Sequence, residues 1–193
     1  MWNAKFCGAT GAGFVQSQAL LRHEAQDSCK NREVDKPVDL DAIDRRILRA
    51  LQQDGRITYD ALAADVGLSA SAVLRRVRRL EDVGVVTSYV ALVAPQRVGL
   101  GLTAYINVRL EKQTDNPLRN PRDLFRAAVQ TWPEVVECAA LTGEMDYLLR
   151  VLVEDMQHYA RFIGDTLLMH PSVQDCKTSF VLERLKNTTA VPV

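Results

Sequence analysis

No run of about 18 apolar residues occurs anywhere in the chain, so no segment reads as a membrane-spanning helix. The N-terminus, Met1-Trp2-Asn3 followed by Gly8, Gly11 and Gly13, lacks the long apolar stretch of a secretion signal. The four cysteines, Cys7, Cys29, Cys138 and Cys176, are scattered without CxxC pairing, and His23, His158 and His170 add no ligand spacing. These absences point to a reduced, cytoplasmic protein with no membrane partner, no metal site and no cofactor. Excess charge is also lacking, because 24 Lys and Arg balance 24 Asp and Glu. A neutral chain argues mildly against nucleic acid, but a DNA-binding surface needs only a local basic footprint. With 193 residues there is material for one medium domain or two small ones.

Residues 1–37 mix glycine, polar and isolated apolar residues without a sustained period, apart from a short helical candidate at 14–26. That composition predicts a disordered extension. Order is expected from Val38. Asp41 can cap a helix, with Asp44 at the positive end of its dipole. Ile43, Ile47, Leu48 and Leu51 then share one face, and Gly55 is expected to stop the helix in a left-handed conformation. Thr58 caps a second helix that buries Leu62, Ala63 and Val66. Gly67-Leu68-Ser69 makes a tight turn, and Ser69 caps a third helix running to about Val83. Gly84 ends it, and the residues from Val85 to Val90 read as a strand. Three short helices with a glycine turn before the last are the helix-turn-helix pattern, here winged-helix-like and assigned to 38–90.

A linker, 91–99, leads into a region of different period. Leu102, Ala104, Ile106, Val108 and Leu110 alternate with Thr103, Tyr105, Asn107, Arg109 and Glu111, as in a strand with one apolar face. A loop from Gln113 to Pro121, a helix over 122–132, strands over 135–141 and 146–153, a helix over 155–169 bearing Met156, Tyr159, Ile163 and Leu167, and a strand over 173–185 complete the pattern. The order is βαββαβ, so residues 100–193 are expected to form a ferredoxin-like sheet with helices on one side. The whole chain is thus read as α+β. A sheet covered on one side leaves the other open, and pairing sheet to sheet in a homodimer is the expected way to cover it.

The third helix carries the chemistry. With Val73 at zero on a helical wheel, Val77 falls near about 40° and Leu80 near about 340°, forming the core stripe. Ser71 falls near about 160°, Arg75 near about 200°, Arg78 near about 140° and Arg79 near about 240°. From Ser69 to Leu80 there are four arginines and no acid. Small residues at the start, Ser69, Ala70 and Ser71, allow close approach to base edges. Leu74 flanks the same face, and the arginines can fork onto guanine or bond phosphate. An exposed arginine face can also serve solubility alone. The helix-turn-helix context is what favours double-stranded DNA as the partner. Arg76, near about 300°, flanks the core stripe and is open to a structural ion pair instead.

The pattern Leu40-Asp41-x-x-Asp44, Ile47-Leu48, Leu51-Gln52-x-Asp54-Gly55-Arg56, Leu62-Ala63, Val66-Gly67-Leu68-Ser69, Val73-x-x-Arg76-Val77-x-Arg79-Leu80-Glu81 and Gly84-Val85-Val86 resembles the Lrp/AsnC (feast/famine) family of transcriptional regulators. Gly143-x-x-Asp146-Tyr147-Leu148-Leu149 is similar to the signature of the family's RAM effector domain. The resemblance covers about residues 40–193. It implies a dimer that assembles further to an octamer, an amino-acid effector bound between subunits, no enzymatic activity, and target genes of amino-acid metabolism or transport. Matched by position, it implies effector contacts from Ala140, Leu141, Thr142, Gly143, Glu144, Asp146 and Met156, with Ser179, Phe180 and Val181 on the last strand. Gly143 would let the backbone approach a ligand, and Asp146 could accept from an α-ammonium group. The same residues also suit a plain β-turn. Met145 and Ser179 stand where some relatives carry an aromatic. A haem-biosynthetic decarboxylase branch resembles this family too, but would need a histidine in the effector cleft. A nucleoid-like architectural protein shares every residue named and differs only in its ratio of specific to non-specific affinity.

Overall fold

The computed structural model describes residues 37–112 and 120–193. The expected extension, except Pro37, and most of the expected loop after Gln113 lie outside the described residues. The chain divides into two compact units, one ending at Thr87 and one spanning Ser88–Pro192.

In the first unit, α1 (Ala42–Gln53), α2 (Tyr59–Val66) and α3 (Ala70–Asp82) follow the expected pattern. Each start is fixed by a side chain: Asp41 accepts from the Asp44 N–H, Thr58 from the Ala61 N–H and Ser69 from the Ala72 N–H. The side chain of Asp44 also accepts from the Asp41 N–H, which closes a reciprocal capping box. Ile47, Leu48, Leu62, Ala63, Val66, Val73, Val77 and Leu80 form the buried core. Gly67, at φ 73°, turns the chain from α2 to α3.

Two expectations fail here. Gly55 does not stop α1 in a left-handed conformation; it is absent from the positive-φ glycines, and Asp54, in extended backbone, ends the helix. Nor do Val85 to Val90 form a strand. The N–H groups of Val85 and Val86 both bond the Leu80 carbonyl, winding the chain around the end of α3. Beyond them no neighbouring strand is present among the described residues, and alternation alone cannot satisfy the ladder.

The second unit opens with a 3-10 turn, Pro95–Val98, and then builds β1 (Leu102–Leu110), α4 (Pro121–Val129), β2 (Val135–Ala140), β3 (Tyr147–Val153), α5 (Met156–Arg161, continuing as a π-helical turn, Phe162–Leu167) and β4 (Val173–Phe180). The strands form one antiparallel sheet in the order β2-β3-β1-β4, the expected βαββαβ arrangement. Ala104, Ile106 and Val108 on β1 and Leu149, Val151 and Val153 on β3 point into a core closed by Phe125 and Val129 of α4 and by Phe162 and Leu167. Phe125 stacks edge-on to Trp132 and His170 and tilted to Tyr147.

Three details differ from expectation. Pro121 belongs to α4 rather than the loop; Asn120 caps the helix and proline takes its first turn, where a missing N–H costs nothing. The long helix over 155–169 changes register midway, with the Leu168 N–H reaching the Ile163 carbonyl five residues back. The last strand stops at Phe180 rather than Leu185 because its partner runs out. Val181 bonds Thr103 near the start of β1, and beyond it Leu182 is 99% exposed. Among the described residues no helix is long and apolar enough to cross a membrane.

Candidate nucleic-acid interface and ligand-binding region

The outer face of α3 is built by its own periodicity. Val73, Val77 and Leu80 anchor it inward, which turns Ser71, Arg75 and Arg78 outward and exposed, with Leu74 half-buried beside them. Ser71, Leu74, Arg75, Arg76, Arg78 and Arg79 line one shallow groove with Asp41 and Asp82. Ser69 and Ala70 stand at its N-terminal end. The Ser69 and Ser71 hydroxyls lie 3.1 Å apart.

The four arginines of α3 fall into two classes. Arg75 and Arg78 make no ion pair among the described residues. Arg76 does not face the groove freely: its Nη1 donates to Asp41 Oδ2 at 2.6 Å and to Asp44 Oδ1 at 2.8 Å. That settles the structural alternative raised by its wheel position. Arg79 departs from the expectation of a free outward guanidinium. Its Nη2 donates to Asp44 Oδ2 at 2.5 Å while the side chain remains 49% exposed. Asp44 itself is only 1% exposed, and it draws both cations because a buried carboxylate without partners is costly. The Asp44 N–H and the Arg76 guanidinium together hold the Asp41 carboxyl below the usual carboxylate range. The wheel missed the Arg79 pairing because the partner lies 35 residues away, on α1.

The second unit holds the residues matched to an effector site, and the structure divides them. Ala140, Leu141, Thr142, Gly143, Glu144 and Asp146 form the β2–β3 turn, at the end of the sheet where Val108 pairs with Tyr147. Gly143 has φ 118°, which only glycine adopts easily. The turn is closed by the Leu141 N–H on the Asp146 carbonyl (2.8 Å) and tied to β1 by the Asp146 N–H on the Val108 carbonyl (2.9 Å). The Asp146 carboxylate accepts from the Leu110 N–H at 2.9 Å and faces Arg122 at 3.6 Å. Met156 instead follows the far end of β3 and is exposed. Ser179, Phe180 and Val181 pair with the first residues of β1, also at that far end. Phe180 packs on Tyr159 at a ring separation of 4.8 Å, on the helix side of the sheet. The seven residues of β3 separate the two groups by roughly 20 Å.

Three cations around the turn were not singled out by sequence. Arg109 donates to Glu144 Oε1 at 2.5 Å, Lys177 lies 3.9 Å from the same oxygen, and Arg122 approaches Asp146. They come from β1, β4 and α4. Strand alternation put Arg109 and Lys177 on one face each, but only the β1–β4 pairing makes those faces the same. Arg109 and Arg122, together with Asn120 and Gln174, line an open cleft of about 770 Å³ beside the turn.

Two family models match the chain. An AsnC-type helix-turn-helix domain covers residues 40–81, and an Lrp/AsnC ligand binding domain covers 103–191. Among curated proteins, the leucine-responsive regulatory proteins of Salmonella typhimurium and of Escherichia coli K12 are each 39% identical over 155 residues, covering 80% of this chain and 92% of theirs. Among solved structures, a transcriptional regulator of Neisseria meningitidis in complex with L-Met is 47% identical, with a TM-score of 0.75 over 80% of this chain and 97% of that one. An AsnC family transcriptional regulator from Agrobacterium tumefaciens is 34% identical, with a TM-score of 0.72 over 79% of this chain and 97% of that one. A DNA-binding helix-turn-helix unit and a ligand-binding sheet unit, matched in order in one chain, make this protein a member of the Lrp/AsnC family of transcriptional regulators, not an enzyme.

Proposed function

We propose that this regulator reads double-stranded DNA with the outer face of α3 set in the major groove. Ser69, Ala70, Ser71 and Leu74 meet base edges, while Arg75 and Arg78 contact guanine or phosphate. The observation that carries this reading is the pair of exposed guanidinium groups, Arg75 and Arg78, which make no ion pair among the described residues and stand on the outer face of a capped helix that follows a glycine turn. Arg79 is left out of this contact set because Asp44 holds it. The test is the salt dependence of binding to a duplex selected from random sequence. Arg78→Ala weakens binding and lowers the slope of log K against log salt by about 0.9, the loss of one phosphate contact. An unchanged affinity and slope remove Arg78 from the interface.

The second unit serves as the sensing and assembly module, and the cytoplasm is its compartment. A homodimer forms through the open sheet face, where Tyr105 and Leu148 supply apolar surface, and dimers assemble further to an octamer. Two recognition helices then meet half-sites about one helical turn, roughly 34 Å, apart or a multiple of it. The effector is a small amino acid, and the L-Met complex of the Neisseria relative makes methionine the first one to try. The separation of the turn at 140–146 from Met156 and Ser179–Val181 favours a site completed by a second subunit. An effector that binds one assembly state better shifts the population of DNA-binding arrangements, acting on genes of amino-acid metabolism or transport. Calorimetric titration with L-methionine, L-leucine and L-alanine, followed by light scattering with and without the binder, tests this. Heat from one of them together with a change in mass supports it, and no heat from any of the three rules out a response to these amino acids.

A further inference from the structure

We propose that Asp44 is a positioning residue for DNA recognition: its buried carboxylate withholds Arg79 from phosphate and so limits the basic footprint of α3 to Arg75 and Arg78. This rests on the reading of α3 as the DNA-facing helix.

The geometry assigns the role. Asp44 sits in the first turn of α1, 1% exposed, with one oxygen on Arg76 and the other on Arg79. Arg76 forks between Asp44 and Asp41 and is 28% exposed, so it belongs to the α1–α3 seam. Arg79 differs. Half its side chain is exposed, and it lines the same groove as Ser71, Arg75 and Arg78. By position it could reach a phosphate; by pairing it does not. The cluster of Asp41, Asp44, Arg76 and Arg79 is neutral, with two carboxylates against two guanidinium groups.

The competition is unequal. A phosphate contact at an exposed site is screened and salt-dependent. Releasing Arg79 would leave one oxygen of a buried carboxylate without its cation, a penalty the solvent cannot offset. Arg79 therefore stays with Asp44. The consequence is selectivity. Phosphate contacts raise affinity for every sequence, whereas base-edge contacts discriminate between sequences. Withholding one cation lowers non-specific affinity while leaving the start of α3 free to read bases. The same pair of bonds fixes how α3 rests on α1, so positioning and charge withholding come from one side chain.

The experiment uses the full-length protein and a random-sequence 30-base-pair duplex, with affinity measured across a salt series. Asp44→Asn keeps the shape and removes the charge that holds Arg79. The expected result is several-fold tighter binding to the random duplex at low salt and a slope steeper by about 0.9, with Asp44→Asn/Arg79→Ala returning to the wild-type slope. A merely structural Asp44 would loosen α3 and give a shallower slope; an unchanged or shallower slope in a variant with native circular dichroism overturns the proposal. Should Asp44→Asn fail to fold, Arg79→Ala alone decides: a slope equal to wild type supports the proposal, and a loss of about 0.9 overturns it. Arg75→Ala and Arg78→Ala run alongside. If Arg78→Ala and Arg79→Ala both lower the slope, only the withholding is wrong. If neither Arg75→Ala nor Arg78→Ala changes affinity or slope, the assignment of α3 to DNA fails and the withholding fails with it.

Discussion

In the first unit the residues assigned to DNA occupy one stretch of sequence, 69 to 78, on one helix. In the second unit the residues matched to a ligand come from a turn, a helix start and a strand end, and they lie at opposite ends of the sheet. The first site is a periodic property of a single element, with three core residues on one side and polar residues on the other. The second site is a property of strand pairing. A recognition helix needs its neighbours only to hold it. A site built on strand pairing needs residues distant in sequence to bring its parts together.

The same contrast governs stability, which supplies ways to break it. The largest effect is expected at Phe125, fully buried among Trp132, Tyr147 and His170. Phe125→Ala should cost about 3–5 kcal/mol, read by urea denaturation with tryptophan fluorescence, because three aromatic neighbours lose the side chain they share. In the helical unit local geometry matters more. Gly67→Ala meets no steric neighbour within 4 Å, so its cost is the left-handed backbone alone, about 1–2 kcal/mol. A cost near zero there would show that the turn relaxes and would weaken the contrast. Ser69→Ala removes the cap of α3 and should cost about 1 kcal/mol by thermal or urea unfolding.

The smallest effect separates the units by pH. Burial lowers the His170 pKa below its ordinary 6.5, and its Nδ1 accepts the Ser172 N–H, a bond only the unprotonated ring can take. A depressed folded value means that the unfolded state binds more protons in the window below 6.5. The stability His170 contributes is therefore complete above 6.5 and is lost as pH falls from there towards its folded value. In the helical unit the shifted carboxyl is Asp41, lowered from 3.8, and its contribution is lost only below that value. Between pH 7 and pH 5 the urea midpoint of the sheet unit should fall while that of the helical unit holds. His170→Gln should abolish the decline; a decline that survives the substitution assigns it to other groups.

Legibility followed the range of the interactions. The three helices, their caps at Asp41, Thr58 and Ser69, and the core positions of α3 were readable because every determinant lies within one turn of its effect. The βαββαβ order was readable from changes of period. The expected strand from Val85 to Val90 was not sound, because alternation reports which side chains could share a face and not whether a partner strand exists. The overlong last strand failed for the same reason at Val181, where β1 has already begun. At the candidate sites, Arg75 and Arg78 were legible from the wheel. The pairing of Arg79 and the cations around the 141–146 turn were not, since each depends on a partner tens of residues away.

The sequence by itself determined the two-part α+β plan, the helix that faces outward with arginine, and the glycine positions that turn the chain at 67 and 143. These follow from periodicity and backbone sterics, which act over a few residues. Only the tertiary structure decided which of the outward arginines a carboxylate holds. The wheel placed Arg75, Arg78 and Arg79 together, but the approach of α1 brought a buried carboxylate to one of them and not to the others. Charge can be counted along a chain, whereas its availability depends on what folds against it.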